Sequence, residues 1–305
     1  MKNLFGLVAV SIFTACSGVG ADVPKISSAG GEPAISATGY AKEGDKRQTG
    51  SEFTVTGVPR FVWKRTGEGD KISREFSNIT VKQLKYGVAS NSVMQIELDE
   101  KSHIFVYDTK TGYFTLFGGG EARANILFNN EYEYVTGLWH VENVYNIDFN
   151  SGFFLVGFNT APETIVSRTA KAVFEGGSRI AIRYPQSEAA FTGGTSQFNV
   201  DFGAGTINGS ILFDPIITPT GNSLFSTPKI TMELPSTKIE GNAFDGDLNV
   251  VTSGRNPKNI TFSNAELDGQ FFGPQGEELG ANIWGEGKAD GQKMLFQGVT
   301  VAEEN

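Results

Sequence analysis

Short runs of alternating hydrophobic and polar residues dominate the chain from about residue 52 to its end. The runs are rich in Val, Ile, Phe, Thr and Tyr, and they are separated by Gly, Asn, Asp and Pro. Alternation with period two is typical of β-strands that bury one face, and breaks about every ten residues are typical of antiparallel sheets. The pattern therefore predicts an all-β protein whose strands close into barrels or sandwiches.

The predicted strands share this alternation and end at turn residues. They are Phe53–Val58, Ser92–Leu98, His103–Tyr107, Gly112–Phe117, Val135–Val144, Gly152–Phe158, Thr169–Glu175, Arg179–Tyr184, Thr195–Phe202, Gly205–Phe213, Lys229–Leu234, Phe244–Val250, Ile260–Leu267, Gly269–Phe272, Glu278–Gly285 and Lys293–Val301. One segment, Ser73–Lys85, has Phe76, Ile79 and Leu84 at roughly helical spacing. It predicts one short helix.

Residues 1–15 have the layout of a secretory signal peptide, with Lys2 ahead of the apolar run Leu4–Ala15. A helix of that length spans about 18 Å, which is too short for a hydrocarbon core of about 30 Å, so the run predicts a removable signal. The single cysteine, Cys16, follows at once, at a spacing that resembles a bacterial lipoprotein box. Leu is usual three positions before such a cysteine, where this chain has Phe13. We expect lipidation of Cys16, and the alternative is a free cysteine beside an ordinary cleavage site.

The rest of the chain divides by composition. Residues 16–39 are rich in Gly, Ser, Ala and Pro and contain no aromatic residue, so they predict a flexible tether behind the lipid. A boundary is expected around Thr160–Arg168. The predicted organisation is a signal peptide at 1–15, a lipidated tether at 16–39, an N-terminal β-rich handle-like domain at 40–160 and an antiparallel β-barrel of about eight strands at 161–305.

Composition and charge narrow the function further. The chain has 305 residues and a net charge of −9, an acidic balance that repels phosphate backbones and argues against a nucleic-acid partner. One cysteine excludes an intrachain disulfide and a cysteine-rich zinc site, and two histidines exclude a His-rich metal centre. No G-x-S-x-G elbow or other catalytic constellation occurs. The sequence predicts a protein that is not an enzyme and has no cofactor, and an extracytoplasmic hydrolase is the weakest alternative.

A succession of strand-and-turn motifs occupies the C-terminal half. In chain order these are Tyr134–Trp139, Gly157–Thr160, Val200–Ile211, Phe244–Leu248, Leu267–Ala281 and Trp284-Gly285. Within them Gly273-Pro274 stops a strand, because Pro lacks the N–H that would continue the ladder. The succession resembles the barrel domain of transferrin-binding protein B and its relatives over roughly residues 134–305. It departs from that family at Ala281, where a second Gly is common.

The resemblance implies a class of surface lipoproteins of Gram-negative bacteria that bind host iron carriers, haem or host regulatory proteins. Such proteins bind through loops and outer faces of the handle and barrel, which vary most, so no binding residue is carried over. The expected function is non-catalytic ligand capture in iron or haem acquisition at the outer membrane, on the cell surface, with an outer-membrane transporter as a candidate partner. The alternative is a structural or adhesive surface lipoprotein with no iron role.

Two histidines are candidate ligand-binding residues. His103 shares one face of a predicted strand with Phe105 and Tyr107, and an imidazole beside two aromatic rings is suited to haem iron. The alternative is a strand histidine packed against its neighbours. His140, after Trp139, is the second candidate, and its alternative is a half-exposed strand residue. The predicted ligand-binding set is thus His103, Phe105, Tyr107 and His140.

Several other motifs have structural interpretations. The glycine runs at Gly118–Gly120, Gly176-Gly177 and Gly193-Gly194 are expected to be hairpin turns, since none precedes Lys-Ser/Thr or a helix. Asp245-Gly246-Asp247 is too short for a calcium loop, and Glu277-Glu278 is expected to be a solvated turn. The doublets Phe153-Phe154 and Phe271-Phe272 put one ring on each face of a strand. The outward rings therefore predict either an inter-domain contact or an exposed binding patch.

Overall fold

The computed structural model describes residues 53–66, 69–82, 93–98, 101–108, 113–116, 123–128, 132–144, 148–183, 190–215, 217–220 and 223–305. Within these ranges the protein consists of β-strands and one short helix, so the predicted all-β class is confirmed. No helix in the described ranges is long and apolar enough to cross a membrane. The predicted signal peptide, Cys16 and the predicted tether lie outside these ranges, as does Gly118–Gly120.

Eight antiparallel strands of the N-terminal half close into a barrel. Each strand pairs with the next along the chain, and β1 pairs with β8 to complete the ring. The strands are β1 (Phe53–Thr66), β2 (Gly69–Lys82), β3 (Val93–Leu98), β4 (Lys101–Asp108), β5 (Tyr113–Leu116), β6 (Arg123–Ile126), β7 (Val135–Val144) and β8 (Asp148–Gly157). The sequence predicts a β-rich unit here but not its closure, which depends on pairing between the two ends of the unit.

The predicted helix at Ser73–Lys85 is wrong. Strand β2 runs through its described part, Ser73–Lys82, and pairs with β1 from Thr66↔Gly69 to Phe53↔Val81. A ladder of this length satisfies the backbone groups of both strands, and this tertiary pairing outweighs a weak local preference for helix.

A short connector leads from the first barrel to the second. It contains α1 (Pro162–Ser167), which begins with Pro at its first position, where the missing N–H costs nothing. Ile165 of α1 is 3% exposed and belongs to the hydrophobic core of the second barrel. The expected boundary around Thr160–Arg168 and the division into units at 40–160 and 161–305 stay predictions.

The C-terminal half is a second antiparallel barrel, in line with the prediction of about eight strands. Its strands are β9 (Lys171–Arg183), β10 (Ala190–Asp201), β11 (Thr206–Phe213), β14 (Lys229–Glu240), β15 (Ala243–Asp247), β16 (Asn249–Ser253), β17 (Thr261–Phe272), β18 (Glu278–Ala289) and β19 (Gln292–Glu304). The sheet order is β11-β10-β9-β19-β18-β17-β15-β14-β16, and β11 also pairs with β14. That additional pairing joins eight of the strands into a ring. A separate hairpin, β12 (Ile217–Thr220) and β13 (Ser223–Ser226), lies between β11 and β14 in the chain.

An aromatic cluster fills the interior of the second barrel. The ring of Phe271 lies 5.8 Å from that of Phe174, 5.6 Å from that of Phe202 and 5.7 Å from that of Phe244, measured between centroids. Edge-on and tilted pairs at this spacing are favourable arrangements for aromatic rings. Phe271 is 0% exposed and sits at the centre of the cluster.

The glycine pairs of this barrel are not hairpin turns, contrary to the prediction. Gly176-Gly177 lies within β9 and Gly193-Gly194 within β10, so Thr169–Glu175 and Arg179–Tyr184 belong largely to one continuous strand. At Gly176 an added Cβ would overlap the carbonyl oxygen of Val301 on the neighbouring β19. These glycines therefore permit close approach of backbones inside the sheet, which is their other common role in strands.

Candidate functional site

Three predicted ligand-binding residues, His103, Phe105 and Tyr107, lie on β4, and the fourth, His140, lies on β7. The register pairs Tyr107 with Phe114, Phe114 with Ala124 and Ala124 with His140, so Tyr107 and His140 occupy one row across the barrel. Phe105 is 0% exposed, and so is Ala124. The fold thus brings the two histidine-bearing strands into one barrel, and ligand binding at these four residues stays a prediction.

The joint between the two barrels is built on the phenylalanine doublets. Phe153, Phe154, Phe271 and Phe272 are each at most 2% exposed, so both faces of these strands are covered. Phe153 of β8 lies 6.3 Å from Phe191 of β10, measured between ring centroids. Phe272 of β17 packs against Gly157, where an added Cβ would lie 2.7 Å from Cδ1 of the ring. Of the two alternatives left by the sequence, the outward rings form the contact between the barrels.

Glu278 anchors this joint, and its prediction as part of a solvated turn is wrong. It is the first residue of β18 and is 3% exposed. Its carboxylate accepts hydrogen bonds from the backbone N–H groups of Glu133, Tyr134 and Val135, at 2.5, 2.9 and 2.9 Å. Hydrogen bonds to an ionised acceptor are among the stronger ones in proteins. The three residues lead into β7, so one side chain of the second barrel holds the start of a strand in the first.

Tyr132 and Phe128 close the same joint beside Glu278. The Tyr132 hydroxyl donates to the carbonyl oxygen of Val301 at 3.0 Å and accepts from the N–H of Gly177 at 3.1 Å. The ring of Phe128 comes within 3.0 Å of the place where Gly177 would carry a Cβ. A side chain at Gly177 would therefore displace Phe128, which explains one of the mid-strand glycines.

Hydrogen bonds also hold the connector against the second barrel. The Thr160 hydroxyl donates to the carbonyl oxygen of Gly273 at 2.7 Å, and the Asn242 amide donates to the carbonyl oxygen of Thr160 at 2.6 Å. Arg168 donates to both carboxylate oxygens of Glu304 at 2.7 Å and lies 3.8 Å above the centroid of Phe202. Because these bonds tie the connector to three parts of the second barrel, it acts as a structural element of the joint.

A second group of polar residues lies next to the joint, on the outer face of β17 and β18. Asp268, Gln270 and Asn282 are at most 2% exposed. Burial, with smaller contributions from the carboxylates of Asp245 and Glu266, raises the pKa of Asp268 to about 8. In sequence these residues occupy ordinary polar positions of alternating strands, so no local signal distinguishes them. Asp268, Gln270 and Glu278 all stand in the motif Leu267–Ala281, which does not mark which of its polar side chains are buried.

An open polar groove lies on the exposed surface of the second barrel. It has a volume of about 310 Å³ and is lined by Asn199, Asn208, Gly209, Ser210, Glu233, Leu234, Pro235 and Asn249. Large apolar side chains that are exposed, such as Val166 at 73% and Val251 at 57%, are few in the part of the chain that the structure describes. The described surface is therefore largely polar.

Two antiparallel barrels joined by a buried, hydrogen-bonded contact place the chain among double-barrel β proteins. A family model described as the C-lobe and N-lobe β-barrels of Tf-binding protein B matches residues 133–303, which is more than half of the chain. The chain therefore belongs to this family, and the resemblance stated from its motifs is confirmed. The matched region contains Glu278 and the three residues, Glu133, Tyr134 and Val135, whose backbone N–H groups donate to it.

Three of the solved structures that are similar to this chain come from Haemophilus parasuis, Neisseria meningitidis and Kingella denitrificans. A mutant of transferrin-binding protein B from Haemophilus parasuis Hp5 has 17% identity and a TM-score of 0.48, over 83% of this chain and 51% of that one. Transferrin-binding protein B from serogroup B Neisseria meningitidis has 16% identity and a TM-score of 0.44, over 81% and 43%. HpuA from Kingella denitrificans, in complex with human haemoglobin, has 14% identity and a TM-score of 0.36, over 90% and 94%.

This chain thus spans about half of the first of these structures and less than half of the second. No curated protein matches the chain.

Proposed function

We propose that this protein is a surface lipoprotein that captures a host iron-carrier protein in iron acquisition and carries out no chemistry on it. The observation that carries the proposal is membership, over residues 133–303, in the family of transferrin-binding protein B barrels. The names of the similar structures add support, because they describe proteins that bind transferrin or haemoglobin. A structural or adhesive surface lipoprotein without an iron role is the alternative.

The joint between the barrels supports a binding function of this kind. A ligand that spans two barrels is bound more tightly when their relative orientation is fixed beforehand, since less freedom is lost on binding. The Glu278 carboxylate, the Tyr132 hydroxyl and the Thr160–Gly273 bond restrain that orientation from three places. Loops at the barrel ends are then presented on a rigid support, which is the usual arrangement for recognition loops.

The test measures binding of the full-length chain in detergent to human transferrin, with and without iron, and to human haemoglobin. We expect saturable binding to one of these carriers by biolayer interferometry, with a dissociation constant at or below the micromolar range typical of specific complexes. Serum albumin serves as the control ligand. Equal, weak signals from both carriers and albumin would contradict the proposal and favour the adhesive alternative.

The same experiment includes haem as a second candidate ligand. The two histidines of the chain lie on strands of one barrel, and His140 shares a register row with Tyr107. If haem is bound through them, haem titration gives a shift of the Soret band that His103→Ala or His140→Ala removes. Phe105→Leu and Tyr107→Phe would weaken the same shift. An unchanged Soret band with the native chain would remove haem from the proposal and leave the carrier protein.

We further propose that Cys16 carries the lipid that holds the protein at the outer membrane, facing the cell exterior, where an outer-membrane transporter would receive the iron. Labelled palmitate is expected to enter the native protein and not the Cys16→Ser variant. The variant should also keep its signal peptide, because lipoprotein processing requires the cysteine. Equal labelling of both proteins would disprove the anchor at Cys16 without affecting the binding proposal.

A further inference from the structure

Three polar side chains beside the joint are buried. Asp268 is 2% exposed, Gln270 0% and Asn282 2%. Within the part of the chain that the structure describes, the Oδ1 atoms of Asp268 and Asn282 and both amide atoms of Gln270 have no hydrogen-bond partner. Leaving a buried polar group unpaired is costly, and most such groups in folded proteins have a protein or solvent partner. Three of them side by side require an explanation.

The register places these side chains together on one face. Asp268 of β17 stands directly opposite Asn282 of β18, and Gln270 is two residues further along β17. Their intervening neighbours, such as Leu267, point into the core of the barrel, so these three side chains face outward. Directly paired residues of antiparallel strands have Cβ atoms roughly 5 Å apart, so the three oxygen-bearing groups are close enough to share one small ligand.

The first barrel covers this face at Gly280, and the Asp245 side is partly exposed. Gly280, paired with Gln270, would meet Leu155 of β8 if it carried a Cβ, at 2.8 Å from Cδ1. On the other side of Asp268 in the register lies Asp245 of β15, which is only partly buried. The charged groups that act on Asp268 among the described residues are both acidic, Asp245 and Glu266. The group thus combines carboxylate and amide oxygens with a local excess of negative charge and access from the Asp245 side.

We propose that Asp268, Asn282 and Gln270, with Asp245 at the entrance, bind a hard divalent cation of the Ca²⁺ class at the edge of the joint. Carboxylate and amide oxygens are the ligands that Ca²⁺ prefers, and it tolerates irregular geometry with water in the remaining positions. A cation there would favour the ionised form of the Asp268 carboxyl and occupy the free oxygens at once. Within the described ranges no group of three or more His, Cys, Asp or Glu side chains is placed to hold a metal, so this site depends on its amide oxygens.

Terbium luminescence tests the site, because Tb³⁺ replaces Ca²⁺ and emits when a nearby tryptophan is excited. Trp284 is two residues beyond Asn282 on β18 and is paired with Glu266, so it lies on the same face, roughly 7 Å away along the strand. We expect saturable sensitised emission from the full chain, displaced by CaCl₂ and not by NaCl. Trp284→Phe should remove the emission while leaving the effect of CaCl₂ on the melting temperature in place.

Substitutions of the side chains proposed to bind the cation test whether the ion binds at this site. Asp268→Asn keeps the shape of the side chain and removes its charge, so it should weaken Tb³⁺ binding at least about tenfold. It should also abolish the rise in Tm of about 3 °C or more that saturating CaCl₂ gives the native chain. Asn282→Ala is expected to act in the same direction and serves if Asp268→Asn does not fold. Asp214→Asn, at an exposed aspartate outside this group, should change neither.

Two results would overturn the proposal. Emission that is equally strong in Asp268→Asn and Asn282→Ala would mean that the ion binds surface carboxylates elsewhere. An absence of saturable binding to the native chain, with Asp268→Asn more stable than the native chain in calcium-free buffer, would mean that Asp268 is buried as a neutral acid. Neither result depends on transferrin, haemoglobin or haem, so the outcome is separate from that of the proposed function.

Discussion

Replacing Glu278 by alanine is expected to lower the free energy of unfolding by about 3–5 kcal/mol. The substitution removes the acceptor of three backbone N–H groups, from Glu133, Tyr134 and Val135. At least one of these groups, the N–H of Val135, is buried. Hydrogen bonds to a charged acceptor contribute about 1.5–3 kcal/mol each, and the effects of three bonds to one carboxylate overlap rather than add.

Chemical denaturation followed by tryptophan fluorescence and by circular dichroism measures this effect. Glu277→Ala is the matched control, since the neighbouring carboxylate accepts a hydrogen bond from the exposed backbone N–H of Gln275, at 2.9 Å. We expect the control to cost less than about 1 kcal/mol. Glu278→Gln keeps one acceptor oxygen, so its loss of unfolding free energy should lie between those of Glu278→Ala and Glu277→Ala. Equal losses at positions 277 and 278 would show that Glu278 does not anchor the joint.

Replacing Phe271 by alanine is expected to cost about 3–5 kcal/mol, the range for deletion of a fully buried phenylalanine. Its ring lies between Phe174, Phe202 and Phe244, at 5.6–5.8 Å between centroids. Strands β9, β17 and the β10–β11 turn meet at this point, so the surrounding backbone is held by ladders on several sides and cannot collapse into the cavity. Phe271→Leu should recover about half of the loss, because it restores most of the apolar volume.

Equilibrium unfolding is measured for Phe271→Ala and for Val251→Ala. The comparison separates the stability lost from core packing from the stability lost by shortening any apolar side chain. Val251 is 57% exposed on β16, so its truncation should change stability by no more than about 0.5 kcal/mol. A loss at Phe271 as small as that at Val251 would contradict the aromatic cluster as the centre of the barrel.

The predicted strand bounds agree closely with the structure at β7 and β11. Val135–Val144 was predicted with the bounds that β7 has, and Gly205–Phe213 differs from β11 by one residue. The pattern failed at Gly176-Gly177 and Gly193-Gly194, which were predicted as turns and lie within strands. Glycine is equally common in turns and at close contacts between backbones, and only the neighbouring strand distinguishes the two.

The sequence by itself determined the all-β class, most strand positions and membership in the family, because period-two alternation and ordered glycine motifs are local properties of the chain. Only the tertiary structure decided which strands close the rings, since β1–β8 and β11–β14 pairings join residues far apart in sequence. It also decided that the outer faces at Phe272, Glu278 and Asp268 are buried. Burial of an outward strand face depends on a second barrel packing against it, and alternation along one strand carries no information about that neighbour.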